Sequence, residues 1–293
     1  MELIILIALI LVGALLTRLH LLNTARISWA NKWIIYIALP AVALAKIPRL
    51  TMGLEMLAPV LSAFIIFLGS ALIFMVLLKD KFSHDKRIAL TIISGLGNTS
   101  FIGFPLINFY FGSDYLPIAV IFDQGSFFLL ATAAQYLITT RDGAFNAANS
   151  AKRILTFPPF IGLIIALIIP ADFIDGFLFD ALNGLGQTIS PVAMIVVGFQ
   201  IARFVNFEFS KPMIYGLSYK LIVAPILIWG FVTAFGVSEM IFKTSIFEAA
   251  MAPMITPAIL LSDLNIERKL VAQMLCWGIF ISFISSGIVF LML

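Results

Sequence analysis

Ten apolar runs, each about as long as a bilayer crossing, dominate this chain. A spanning helix needs roughly 20 mostly apolar residues. Such runs lie at about 2–19, 30–48, 56–78, 88–111, 115–138, 154–171, 179–203, 211–235, 241–262 and 268–292. The run at 154–171 is short and is bounded by Pro158, Pro159 and Pro170. Of the 293 residues, 62% are hydrophobic and only 11% charged, and the mean hydropathy is +1.11. Soluble domains are about half apolar and a quarter charged, so too little polar surface exists here to coat a water-soluble globule. The expected fold class is an all-α membrane protein with ten transmembrane helices.

The basic residues sit in the short links between runs. Links after the first, third, fifth, seventh and ninth runs hold Arg18, Arg26 and Lys32; Lys79, Lys81, Lys86 and Arg87; Arg141, Lys152 and Arg153; Arg203 and Lys211; and Arg268 and Lys269. The opposite links hold only Lys46, Arg49 and Lys243. The positive-inside rule then places the basic links in the cytoplasm and both termini outside, in the cytoplasmic (inner) membrane. The net charge of +3 follows from this pattern, and no nucleic-acid partner is expected. Nothing basic precedes the run from Glu2 to Leu16, so it is read as a retained first helix and not as a signal peptide.

Landmarks repeat along the chain. Pro40 and Pro191 lie 151 residues apart, Pro105 and Pro257 lie 152 apart, and Gly125 and Gly278 lie 153 apart. They fall in the second and seventh, fourth and ninth, and fifth and tenth runs. Five is an odd number of crossings, so a second half built like the first must be inverted, a common plan among secondary transporters. The expected halves are residues 1–150 and 151–293.

The fourth run is interrupted by Gly95-Leu96-Gly97-Asn98-Thr99-Ser100-Phe101-Ile102-Gly103-Phe104-Pro105. Three glycines, three small polar residues and a proline oppose continuous helix. The ninth run contains Ala252-Pro253-Met254-Ile255-Thr256-Pro257, whose two prolines break it as well. Broken helices are tolerated at membrane depth only where protein or a wet cavity covers the backbone. Two such breaks at matching places are expected to cross near the midplane, where half-helix N-termini suit an anion. Asn98, Thr99, Ser100 and Thr256 add donors and acceptors there; the alternative is a pair of simple proline kinks. Asp123 and Gln124 lie within the fifth run, and an intramembrane carboxylate tends to mark a pathway or proton relay. Lys220 is read as the other intramembrane charge. It either snorkels to the inner headgroups or acts as a counter-ion for substrate or Asp123. Gln200, Gln273 and Lys46 are weaker candidates near the run ends.

The chain carries no Walker loop, HExxH or GxSxG, so neither ATP-driven transport nor common hydrolase chemistry is supported. The single cysteine, Cys276, lies in an apolar run, which excludes an internal disulfide. His20 and His84 stand in separate links, so no metal site, cofactor or enzyme activity is expected.

The stretch Gly97-Asn98-Thr99-Ser100-Phe101-Ile102-Gly103-Phe104-Pro105 resembles the fourth-helix motif of the auxin efflux carrier family, which is related to the bile acid/sodium symporters. The similarity extends to Phe122-Asp123-Gln124-Gly125, to Lys220 with Pro225, and to the proline-broken ninth run. The resemblance implies a carrier for a small organic anion, such as a carboxylate; the expected mechanism is an elevator-type secondary carrier, in which the buried position of Asp123 suits coupling to a proton or sodium. The resemblance also implies a scaffold of helices 1, 2, 6 and 7, also the surface of a homodimer, and a transport domain of helices 3–5 and 8–10. Asn98, Thr99, Ser100, Pro105, Gln124, Pro253, Thr256 and Pro257 are then the candidate substrate residues, and Asp123 and Lys220 the candidate ion-coupling residues. Three features differ from the plant carriers: the link from Thr139 to Arg153 is short, Thr256 stands where they carry asparagine, and no acidic residue lies between Leu57 and Leu78 where they have one, so auxin specificity and their proton-linked chemistry do not carry over. A non-transporting receptor or scaffold of the same fold and a passive channel remain as alternatives.

Overall fold

The computed structural model describes residues 2–50, 53–139, 155–204 and 208–293. The regular elements among these residues are helices, and no strand longer than an isolated bridge occurs among them. Arg141, Lys152 and Arg153, counted above among the basic links, lie outside the described residues.

The helices are α1 (Glu2–Arg18), α2 (Thr24–Arg49), α3 (Leu54–Leu77), α4 (His84–Gly95), α5 (Phe104–Tyr110) and α6 (Ser113–Thr139). After them come α7 (Pro158–Ile168), α8 (Gly176–Phe204), α9 (Lys211–Phe235), α10 (Glu239–Ala249), α11 (Ile255–Asp263) and α12 (Arg268–Met292). Six of them, α2, α3, α6, α8, α9 and α12, are long and apolar enough to cross a membrane as continuous helices. The first and sixth apolar runs form the shorter helices α1 and α7. The fourth and ninth runs are each split, into α4 and α5 and into α10 and α11.

Local chemistry accounts for several boundaries. The Asn23 side chain accepts the Arg26 N–H at 2.9 Å and opens α2, and Ser83 caps α4 through the Lys86 N–H, each satisfying a donor that a helix start leaves unpaired. Three prolines act on the turn before them. Pro40, Pro105 and Pro225 follow widened, π-type turns at Ile34–Ala38, Thr99–Gly103 and Tyr219–Val223. A proline supplies no N–H to the carbonyl four residues back and its ring presses on that carbonyl. In all three cases that carbonyl lies inside the widened turn.

The helices pack in two groups. α1 lies along the second half of α8, while α2 packs on α7 and on the first half of α8. Gly13 and Gly198 bring the α1 and α8 backbones together; a Cβ on either would overlap the other helix's main chain. Close approach through small residues is the usual basis of helix association in lipid. The Trp33 indole N–H donates to Thr188 Oγ1 at 2.8 Å and ties α2 to α8. In the second group α3 packs on α4, α6 and α9, and α9 packs also on α4, α10 and α12. The Thr99–Gly103 turn rests against α8, where the groups meet. Outward faces carry large exposed apolar side chains such as Ile4, Leu68 and Ile284, as lipid contact requires.

Candidate functional site

The two split runs cross. Gly97, just past α4, pairs with Pro253, just past α10, as an antiparallel bridge between extended residues. The Asn98 N–H donates to the Ala252 carbonyl at 2.7 Å, and the Met254 N–H donates to the Leu96 carbonyl at 2.9 Å. Each break therefore supplies backbone partners for the other, which answers the penalty of unpaired peptide groups at membrane depth. The breaks fall at Leu96–Asn98 and Ala252–Met254; the first lies ahead of Pro105, and the second holds Pro253 itself and lies ahead of Pro257. Pro105 stands in the first turn of α5, eight residues beyond the bridge. Pro257 stands four residues beyond it, inside α11.

Polar side chains gather on this crossing. Asp123 on α6 is fully buried, and its Oδ1 accepts hydrogen bonds from the hydroxyls of Thr99 and Ser100, the latter at 2.7 Å. Its other oxygen, Oδ2, has no protein partner. The Asn98 side-chain nitrogen is buried without a partner, and so are both amide atoms of Gln124. Lys220 enters from the widened turn of α9. It is 1% exposed, and its ammonium donates to the Ala249 carbonyl, the last of α10, at 2.9 Å. The neighbouring Tyr219 hydroxyl donates to the Ile66 carbonyl at 2.5 Å, which holds this turn against α3. Of the two readings left open for Lys220, the structure places its ammonium at the crossing and not at the helix end.

Glu248 is the functional candidate that the sequence reading passed over. It lies on α10 one residue before Ala249, is fully buried, and neither carboxylate oxygen has a partner. It feels the charge of both Lys220 and Asp123. The signal was an acidic residue inside Ile246-Phe247-Glu248-Ala249, as conspicuous in kind as Lys220.

Two glycines of the fourth run make room for these charges. A Cβ at Gly97 would stand 2.9 Å from the Lys220 ammonium. A Cβ at Gly103 would overlap the Glu248 carboxylate. Their second role, beside loosening the helix, is steric.

Beside the crossing lies a cavity of about 300 Å³, lined by Gln124, Phe127, Gln135, Phe157, Phe160 and Thr256 among others. The Phe127 and Phe157 rings stack with centroids 4.0 Å apart. Gln124 joins the cavity to the Asp123 cluster on α6, and Thr256 joins it to the first turn of α11. The weaker candidates stand elsewhere. Gln273 accepts from Ser210 at 2.6 Å. Lys46 donates to the Ser113 carbonyl at 2.8 Å and lies 3.5 Å from Asp114. Gln200 is buried, with its side-chain oxygen unpaired.

Comparison with known proteins places this geometry in context. A family model described as "Membrane transport protein" matches residues 1–290. An uncharacterized transporter of Methanothermobacter thermautotrophicus is 23% identical over 287 residues, covering 94% of this chain and 92% of its own. An uncharacterized transporter of Methanocaldococcus jannaschii is 27% identical over 244 residues, covering 80% of this chain and 77% of its own.

Proposed function

Because the chain belongs to the membrane transport protein family, the auxin efflux carriers, we propose that it is a secondary active transporter moving a small organic anion, such as a carboxylate, across the cytoplasmic membrane. The observation that carries this reading is the pairing of two broken helices at Gly97 and Pro253, surrounded by buried polar atoms without protein partners. Buried polar groups in a purely structural core are nearly always paired. Here the donors of Asn98 and Gln124 and the hydroxyl of Thr256 suit an anion, and the start of α11 adds its partial positive charge. The carboxylates of Asp123 and Glu248 suit an accompanying proton or sodium ion. No cofactor is called for.

In this reading the described helices make ten crossings, with α4–α5 and α10–α11 each counted as one, in inverted halves at 1–150 and 151–293. The scaffold is α1, α2, α7 and α8, and also forms a homodimer surface. The transport domain is α3–α6 with α9–α12. The two packing groups support this division, and the contact of the Thr99–Gly103 turn with α8 supports a substrate seat at their boundary. An elevator motion carries the crossing past the scaffold. The charge bias of the links supports both termini outside.

The test is counterflow in proteoliposomes across a panel of mono- and dicarboxylates. A saturable exchange is expected for the wild type. Asn98→Ala and Thr256→Ala are each expected to slow it roughly tenfold, the scale of one lost ligand hydrogen bond, at unchanged membrane insertion. Wild-type kinetics in both variants would remove the crossing as the substrate seat, and a flux without saturation or counterflow would mark a passive channel.

A further inference from the structure

The placement of Lys220 has a consequence for what drives transport. Carriers built on broken helices hold coupling sodium at exposed carbonyls and at the C-terminal ends of half-helices, where the last carbonyls of a helix lack partners and carry partial negative charge. α10 is such a half-helix, and Ala249 is its last residue. The ligand on the Ala249 carbonyl is the ammonium of Lys220, at 2.9 Å. The carboxylate of Glu248 lies one residue away with both oxygens unpartnered, so Lys220 does not form a simple ion pair with it. The ammonium is directed to the carbonyl, within the field of the carboxylate. Gly97, on the opposing segment, has no Cβ to displace it. The carbonyl oxygen and the nearby carboxylate together suit a monovalent cation, and a covalently tethered cation stands on the carbonyl.

We propose that the Lys220 ammonium is a built-in cation standing in the seat where a broken-helix carrier binds coupling sodium, so that this protein binds no sodium at the α10 terminus. The inference rests on the transporter reading above and narrows its choice of coupling ion. It also accounts for the depth of Lys220. A lysine serving only the headgroups has no reason to enter a proline-widened turn and point at the crossing.

The test measures sodium binding and does not require flux. Purified wild type, Lys220→Ala and Lys220→Arg are melted in sodium, potassium and choline chloride at equal ionic strength. Wild type and Lys220→Arg are expected to show no sodium-specific shift. Lys220→Ala is expected to gain one of roughly 3 °C at about 100 mM sodium, as mass action requires for a newly opened site of millimolar affinity. A sodium-specific shift in the wild type, or none in a folded Lys220→Ala, overturns the proposal. If Lys220→Ala does not fold, wild-type counterflow in choline replaces it: an unchanged rate supports the built-in cation and a lost rate overturns it. Absence of counterflow under every condition defeats the transporter reading alone, because the melting comparison still reports on the seat.

Discussion

Lys220 and Ala249, 29 residues apart on neighbouring helices, are joined by a 2.9 Å hydrogen bond from ammonium to carbonyl. The bond links the widened turn of α9 to the cut end of α10. It thereby sets a positive charge beside a buried glutamate, in a site whose other ionisable group is also an acid. Lys220, Glu248 and Asp123 form one electrostatic unit.

Such a unit responds non-additively to mutation. Lys220→Met leaves Glu248 buried with no counter-charge, and removing one member of a buried charged group costs about 3–5 kcal/mol. Glu248→Gln leaves Lys220 with its carbonyl ligand and is expected to be milder. The double variant is expected to recover about 1–3 kcal/mol relative to the sum of the singles. Thermal melts of the four proteins check this, and additive losses would show that the two charges do not communicate.

Gly103 is open because Glu248 fills the space beside it. Gly103→Ala must push the carboxylate aside within a packed site, an overpacking expected to cost about 1–3 kcal/mol and to abolish exchange. Adding Glu248→Ala is expected to restore the melting temperature but not transport. Gly230, in the middle of α9 with nothing near its missing Cβ, supplies the contrast. Gly230→Ala is expected to be neutral or to stabilise by about 0.5–1 kcal/mol, the usual helical preference for alanine. Equal losses at both positions would contradict the steric role of Gly103.

How much of this was legible in the sequence depended on the range of the interaction. Apolar runs reported crossings well, because lipid imposes their length; the run at 211–235 coincides with α9 and the run at 268–292 with α12. The loosened segments were legible from Gly97, Asn98 and Pro253. Pro253 marked the break in the ninth run, whereas within the segment from Gly95 to Pro105 the residue at which the fourth run parts was not legible. Prolines attract attention, yet Pro105 begins the helix after the break, and the chain parts where Leu96 and Asn98 exchange backbone bonds with residues more than 150 positions away. No local propensity reads such a bond. The repeat offsets of 151–153 carry the same lesson, since the bridged residues Gly97 and Pro253 lie 156 apart. The difference, close to one helical turn, falls in the wide turn Thr99–Gly103, which has no counterpart between Pro253 and Pro257. Glu248 was legible and was overlooked beside Asp123, whereas the reach of Lys220 to Ala249 needed coordinates.

Asp123→Asn separates charge from shape. Asparagine retains an oxygen to accept from Thr99 and Ser100, so the packing of the turn on α6 is expected to persist and stability to change by no more than about 1 kcal/mol. Its amide carries no charge to attract a cation and does not take up a proton near neutral pH. Exchange at equilibrium is therefore expected to continue, while uphill uptake driven by an imposed proton or sodium gradient is expected to fail. Uptake measured under each gradient separately decides the point; wild-type dependence on both would take Asp123 out of the coupling step.

Thr256 offers a reading of which way the site faces. It is exposed and lines the 300 Å³ cavity beside the crossing, whereas the chain's one native thiol, Cys276, is 1% exposed within α12. Thiol reactivity follows exposure, so Thr256→Cys is expected to react with a membrane-impermeant maleimide roughly tenfold or more faster than Cys276 in the wild type. The other walls of the cavity come from the second half of α6, from Phe157 and Phe160 at the start of α7, and from Leu260 near the end of α11. Those ends lead into the basic links, which the positive-inside rule assigns to the cytoplasm. Labelling is therefore expected from the cytoplasmic face of sealed vesicles, and a transported anion at saturating concentration is expected to slow it by occupying the cavity. Labelling from the outer face alone would reverse the orientation assigned to the chain. Labelling that no transported anion slows would place Thr256 off the substrate path, and with it the start of α11.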